Sequence, residues 1–156
     1  MTAPLSFYGA LLLALHPLFS PEEEDAVKDN AAGSVARLVS AAAAQGGLDG
    51  QVPLDRVLPV LLSALPLKED LEEAGVVYGC LLDLLAAEHH SLAPSLTALL
   101  SVLARVVHNM KVASEVRNRI GGDIQRLKIR RAKQWKGIVS QLSREERAML
   151  EVAARC

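Results

Sequence analysis

The sequence predicts an all-α fold, an α-solenoid of about three helical hairpins followed by a terminal helix. Three observations predict it. Apolar residues recur at three- and four-residue spacing almost throughout, and no period-two run marks a strand. The composition is 51% hydrophobic but only 3% aromatic, so Leu, Ala and Val supply the apolar mass, which suits closely packed helices better than a sheet core. Pro, Gly and acidic clusters interrupt the pattern at short intervals, and connections of a few residues imply antiparallel hairpins.

The first helix spans about residues 5–18 and ends before Ser20-Pro21. The second opens at Ser20, with Pro21 near its first turn and Glu22, Glu23, Glu24 and Asp25 placed favourably against the helix dipole, and it runs to Ala44 before Gly46-Gly47. The third covers residues 54–65, with Pro53 at its entry and Pro59 inside, where the missing N–H should bend it. A fourth, residues 68–88, follows the Pro66 break. The fifth covers residues 91–107, and the sixth residues 111–135, loosened at Gly121-Gly122. The last begins near Ser143, where Ser143-Arg144-Glu145-Glu146 has the form of a capping box, and ends near Ala154.

A stack of hairpins should repeat, and this sequence does. Residues 27–38 align with residues 116–127, 89 positions later: both read Val, basic, four variable residues, Gly, one variable residue, a β-branched residue, one variable residue, Arg, Leu. Residues 71–82 give a looser apolar match between them, so three second helices begin their cores near 27, 71 and 116, with steps of 44 and 45 residues. That is the period of HEAT-like arrays. The expected organisation is a single HEAT-like domain over residues 1–156, with repeats at about 1–45, 52–88 and 91–135 and a terminal helix at 143–154. The first helix is apolar nearly all round, as if neighbouring repeats covered it, whereas the last is polar enough to finish a stack.

Charge is unevenly spread. Residues 1–100 hold four basic and thirteen acidic side chains, and residues 101–156 hold thirteen basic and five acidic, an asymmetry that points to charged partners. Cys80 and Cys156 offer no disulfide framework or metal spacing, and Cys80 is expected to be a small buried hydrophobe in a reducing compartment. The apolar segment 7–15 lacks a preceding basic residue and is too short to span a bilayer, so neither a signal peptide nor a membrane role is expected. Enzymatic readings find little support. His89-His90 lies beside Glu88 at an expected helix end, where imidazolium would meet the dipole favourably; His16 and His108 are isolated; no nucleophile-base spacing or phosphate-binding glycine loop occurs. No catalytic residue, metal ligand or cofactor is expected.

Two stretches, PEEEDAVKDNAAGSVARLV (21–39) and VPLDRVLPVLLSALPLKEDLEEAGVVYGCLLDLL (52–85), resemble the C-terminal HEAT repeats of the importin-beta family of nuclear transport receptors, in particular the importin-four type. The residues that carry the resemblance are Lys28-Asp29-Asn30-Ala31 after an acidic turn, Val57-Leu58-Pro59, and Leu65-Pro66-Leu67-Lys68-Glu69-Asp70. They cover about half the chain, and helix periodicity does not dictate LPLKED. The resemblance implies a cargo-binding module in cytoplasm and nucleus, with histones or ribosomal proteins as basic cargo. Ran-GTP would bind through N-terminal repeats that are not represented here.

Holding such cargo requires second helices that present carboxylates to a basic segment. The candidates are Glu22, Glu23, Glu24, Asp25, Asp29 and Asn30 in one repeat and Glu69, Asp70, Glu72 and Glu73 in the next, each cluster at the expected first turn of a second helix. The alternative role for the carboxylates is dipole stabilisation, and for Asp29 and Asn30, which lie past the first turn, hydrogen bonding to neighbouring backbone. The basic run Arg126, Lys128, Arg130, Arg131, Lys133 and Lys136, with Trp135 as a stacking face, could instead bind nucleic acid or an acidic protein, a scaffold reading that ranks below the cargo reading. Ile120, Ile124, Leu127, Trp135, Ile138 and Leu142 share a helical stripe, which makes Trp135 a core residue and the basic residues a solvated face.

Overall fold

The computed structural model describes residues 7–45 and 47–154; the expected start at Leu5, Gly46 and Cys156 lie outside them. The fold is all-α, built of helical hairpins, with no strand among the described residues. No helix among them is long and apolar enough to cross a membrane. The chain divides into two compact units, Met1–Cys80 and Leu81–Cys156.

In the first unit α1 (Phe7–Leu15) passes through a 3₁₀ turn (His16–Phe19) and folds back against α2 (Asp25–Ala44). The small side chains of Ala31, Ala32, Val35, Ala36 and Val39 are buried along α2 and let its neighbours approach closely. Leu58, Leu61 and Leu62 of α3 (Leu54–Ser63) and Val77 and Tyr78 of α4 (Ala74–Ala86) complete this core. Pro59 lies within α3 on its exposed side. Leu13 of α1 remains 64% exposed, and a groove of about 550 Å³ between α1 and α3 is floored by Leu12, Val35 and Leu61.

The second unit holds the end of α4, a 3₁₀ segment (His90–Ser95), α5 (Leu96–Val106), α6 (Ser114–Arg130), the short α7 (Trp135–Val139) and α8 (Arg144–Ala153). α8 packs on both α5 and α6, around Leu99, Leu100, Leu103, Ile120, Ile124 and Leu150, all fully buried. The capping box is present at α8: Ser143 Oγ accepts from Glu146 N at 3.1 Å and Glu146 Oε1 from Ser143 N at 3.1 Å. Cys80 is buried, as expected.

Several element boundaries differ from expectation. α2 begins at Asp25, not Ser20, because Ser20-Pro21-Glu22-Glu23 forms a turn in which Glu23 N donates to Ser20 O at 3.0 Å and Glu22 N to Ser20 Oγ at 3.3 Å; proline at the second position fixes the φ such a turn needs. α4 begins at Ala74, not residue 68. Residues 65–70 are non-helical and Leu71–Glu73 is a 3₁₀ turn. Residues 91–95, expected to open the fifth α-helix, belong to a 3₁₀ segment (His90–Ser95) around Pro94. α6 runs unbroken through Gly121-Gly122, and α7 is a separate helix beyond the turn at residues 131–134.

Glu146 ties α8 to α5. Ser101 Oγ donates to its carboxylate, and this bond, with the bonds from Ser143, holds the carboxyl below its ordinary range against the opposing effect of burial. A carboxyl with a folded-state pKa below its unfolded one contributes stability that is present above the unfolded value, about pH 4.3, and is lost as pH falls through the folded value. The Glu146→Gln variant should therefore show a shallower acid limb in its stability-pH profile than the parent; parallel profiles by urea denaturation would contradict this linkage.

Candidate binding surfaces

In the first unit most of the acidic residues sit on turns and loops; Asp25 is in the first turn of α2, as expected, and Glu72 and Glu73 in a 3₁₀ turn. Glu22 and Glu23 belong to the turn at Pro21, Glu24 is the extended residue before α2, and Asp25 opens the helix. Glu69 and Asp70 lie in the non-helical stretch before α4, and Glu72 and Glu73 in its 3₁₀ entry. The two clusters meet at Lys68, whose Nζ lies 3.6 Å from Asp25 Oδ1, while Lys28 approaches the same oxygen at 3.7 Å.

Asp29 is not at the surface. It is 1% exposed, and its Oδ2 accepts three consecutive backbone N–H groups, from Lys68 at 3.0 Å, Glu69 at 2.7 Å and Asp70 at 2.9 Å. Tyr78 Oη accepts the preceding one, from Leu67, at 3.0 Å. Four successive main-chain donors that a helix would have left to water are thus taken up by two side chains, which fixes the loop. Asn30 bonds back to Ala26 O at 2.9 Å. Both residues bond to backbone; Asp29 is too buried to face a partner directly, whereas Asn30 is exposed.

Glu73 is also engaged. Arg37 Nη1 donates to its Oε2 at 2.8 Å and Nη2 to its Oε1 at 3.1 Å, a bidentate fork that raises the guanidinium's pKa through the bond and charge of Glu73, with Asp70 adding to it. Glu22, Glu23, Glu24, Glu69 and Glu72 have no ion-pair partner among the described residues, and all except the half-buried Glu23 are exposed. These five carboxylates form the accessible negative edge. Sequence reasoning grouped them with Asp29, Glu73 and Asp25 because composition does not reveal which carboxylates find internal donors.

The basic run of the second unit is largely neutralised from within. Arg126 pairs with Asp123, Lys128 with Glu151 at 2.7 Å and Arg131 with Glu88 at 3.0 Å, while Arg130 donates to Ala86 O at 3.3 Å. Lys133 and Lys136 are exposed and unpaired among the described residues. Trp135 is 7% exposed, its Nε1 donates to Glu151 Oε1 at 3.0 Å, and Lys128 Nζ stands 6.0 Å from its ring centroid. Its face is therefore not open to a base. His89 caps the 3₁₀ segment that follows it: its Nδ1 accepts from Ser91 N at 3.2 Å.

No family model matches the chain. A stretch of 104 residues, 65% of the chain, is 36% identical to a protein described as probable importin subunit beta-4 from Schizosaccharomyces pombe, of which it covers 9%. A stretch of 66 residues, 42% of the chain, is 46% identical to importin-4 from Homo sapiens, of which it covers 6%. The chain thus spans less than a tenth of the length of the curated relatives it matches, and these partial homologies support the importin-beta family as matches to a fragment of such a protein.

Proposed function

We propose that the chain is a cargo-holding part of a nuclear import receptor of the importin-four type, from its C-terminal repeats. In this reading it moves between cytoplasm and nucleus, binds rather than catalyses, and leaves Ran-GTP to other repeats. The observation that carries the reading is the negative edge of the first unit. Glu22, Glu23, Glu24, Glu69 and Glu72 are unpaired among the described residues, on two segments joined at the Asp25–Lys68 contact and stiffened by the Asp29 and Tyr78 bonds. A preorganised negative edge attracts a flexible basic segment and does not have to be ordered when that segment binds. Histone tails and basic ribosomal-protein segments are the cargo class.

The test is titration of the full chain with a histone-tail peptide and a basic ribosomal-protein peptide at two salt concentrations. Binding should weaken steeply with salt, and reversing Glu22, Glu23, Glu24, Glu69 and Glu72 to lysine should weaken it by about tenfold or more at low salt, with the circular dichroism unchanged. Absence of binding at low salt, or affinity indifferent to the reversal, would sink the reading.

A further inference from the structure

The first hundred residues hold only four basic side chains, Lys28, Arg37, Arg56 and Lys68, and two of the four converge on one carboxylate oxygen. Lys28 Nζ stands 3.7 Å and Lys68 Nζ 3.6 Å from Asp25 Oδ1. They arrive by different routes. Lys28 follows Asp25 by three residues on α2, where helix geometry alone brings such a pair together, and its side chain is 19% exposed. Lys68 comes from the loop before α4, and its side chain is 62% exposed. Arg37 is committed to the Glu73 fork.

Asp25 follows directly on Glu22, Glu23 and Glu24, and Lys68 directly precedes Glu69. The Lys68 ammonium is therefore set where the two halves of the negative edge meet, beside carboxylates of both, which is where a lysine or arginine of a bound basic segment would find its strongest field. Its hold on Asp25 is loose. The contact is longer than the roughly 2.7–2.9 Å of a charge-assisted hydrogen bond, and an exposed pair of this kind is readily screened and exchanged. The loop does not depend on it, because the Lys68 N–H is bonded to Asp29 Oδ2 at 3.0 Å and the N–H groups of Glu69 and Asp70 go to the same oxygen. The side chain is thus free to leave Asp25 while its main chain stays in place.

We propose that Lys68 is a built-in occupant of the negative edge, a tethered counterpart of a cargo lysine that a basic segment must displace from Asp25. This rests on the cargo reading of that edge. The tethered ammonium lowers the apparent affinity for any basic segment in proportion to the time it holds Asp25. A segment with a single cation gains little by displacing it, whereas one whose cations also meet Glu22, Glu24, Glu69 and Glu72 gains at each of them. Lys68 is in this way a selectivity residue, favouring cargo with clustered positive charge. Removing its charge takes away the internal competitor and leaves Asp25 with Lys28 alone.

The test is titration of the full chain with a histone-tail peptide at low and high salt, in the parent, Lys68→Gln, Asp25→Asn, the double variant and Lys111→Gln. Lys68→Gln should bind about two- to fivefold more tightly than the parent at low salt, the range that an exposed ion pair spans. The gain should shrink at high salt and in the Asp25→Asn background, where no carboxylate is left to release. Lys111→Gln removes the same charge from the loop before α6 in the second unit and should gain nothing comparable. If the parent binds but Lys68→Gln binds no more tightly, if Lys111→Gln gains as much, or if the gain persists undiminished with Asp25→Asn, the proposal is overturned and the cargo reading stands. If neither the parent nor Lys68→Gln binds at low salt, the cargo reading falls and the proposal falls with it.

Discussion

Asp29→Ala should destabilise the first unit by about 3 to 5 kcal/mol, because it strands three consecutive main-chain N–H groups, each of which costs about 1–3 kcal/mol when desolvated and unpaired. The partial exposure of the loop keeps the sum below that upper range, since water can reach part of it. Asp29→Asn retains one oxygen acceptor but loses its charge, and should cost about 1–2 kcal/mol. The urea midpoint should fall with little change in slope, and exchange protection at Lys68, Glu69 and Asp70 should fall before that of the α2 core. A midpoint shift equivalent to less than about 0.5 kcal/mol, the range of ordinary surface substitutions, would show that the loop holds itself without Asp29.

Trp135→Ala should cost the second unit about 3–5 kcal/mol, the usual range for truncating a buried aromatic. It also removes the donor that Glu151 Oε1 accepts and the ring under Lys128. Trp135→Phe keeps most of the volume and loses the N–H, and should cost about 1–2 kcal/mol. As this is the sole tryptophan, blue-shifted emission that moves to the red in step with unfolding would report its burial directly. If the variant instead kept parental stability and lost affinity for single-stranded RNA, Trp135 would be a stacking platform and the packing account would be wrong.

Much of the helical organisation was legible because it rests on local rules. The three- and four-residue apolar spacing located the hairpins, Ser143-Arg144-Glu145-Glu146 marked the start of α8, and the 89-residue repeat anticipated that α2 and α6 would begin in register. The Ile120, Ile124, Leu127, Trp135 and Leu142 stripe proved to be core, with Ile138 only half-buried. What escaped the sequence is non-local. The carboxylate of Asp29 reaches donors 39 to 41 residues away, and this bonding holds the residues that local rules would have placed in the first turn of α4. The accessible edge was blurred for the same reason. Glu72 and Glu73 are neighbours of identical chemistry, yet only Glu73 reaches the Arg37 fork, and helix phase alone does not identify which carboxylate meets a guanidinium 36 residues back.

The Asp29 clasp reads the main chain and ignores what hangs from it. Lys68, Glu69 and Asp70 lend the clasp only their amides, so the clasp itself makes no demand on the side chains of Glu69 and Asp70, while Lys68 also reaches Asp25. Related chains could rewrite the letters at 69 and 70, from acidic to basic or apolar, and present a different lure on the same mount. Shape is then inherited through one aspartate, while selectivity is free to drift beside it.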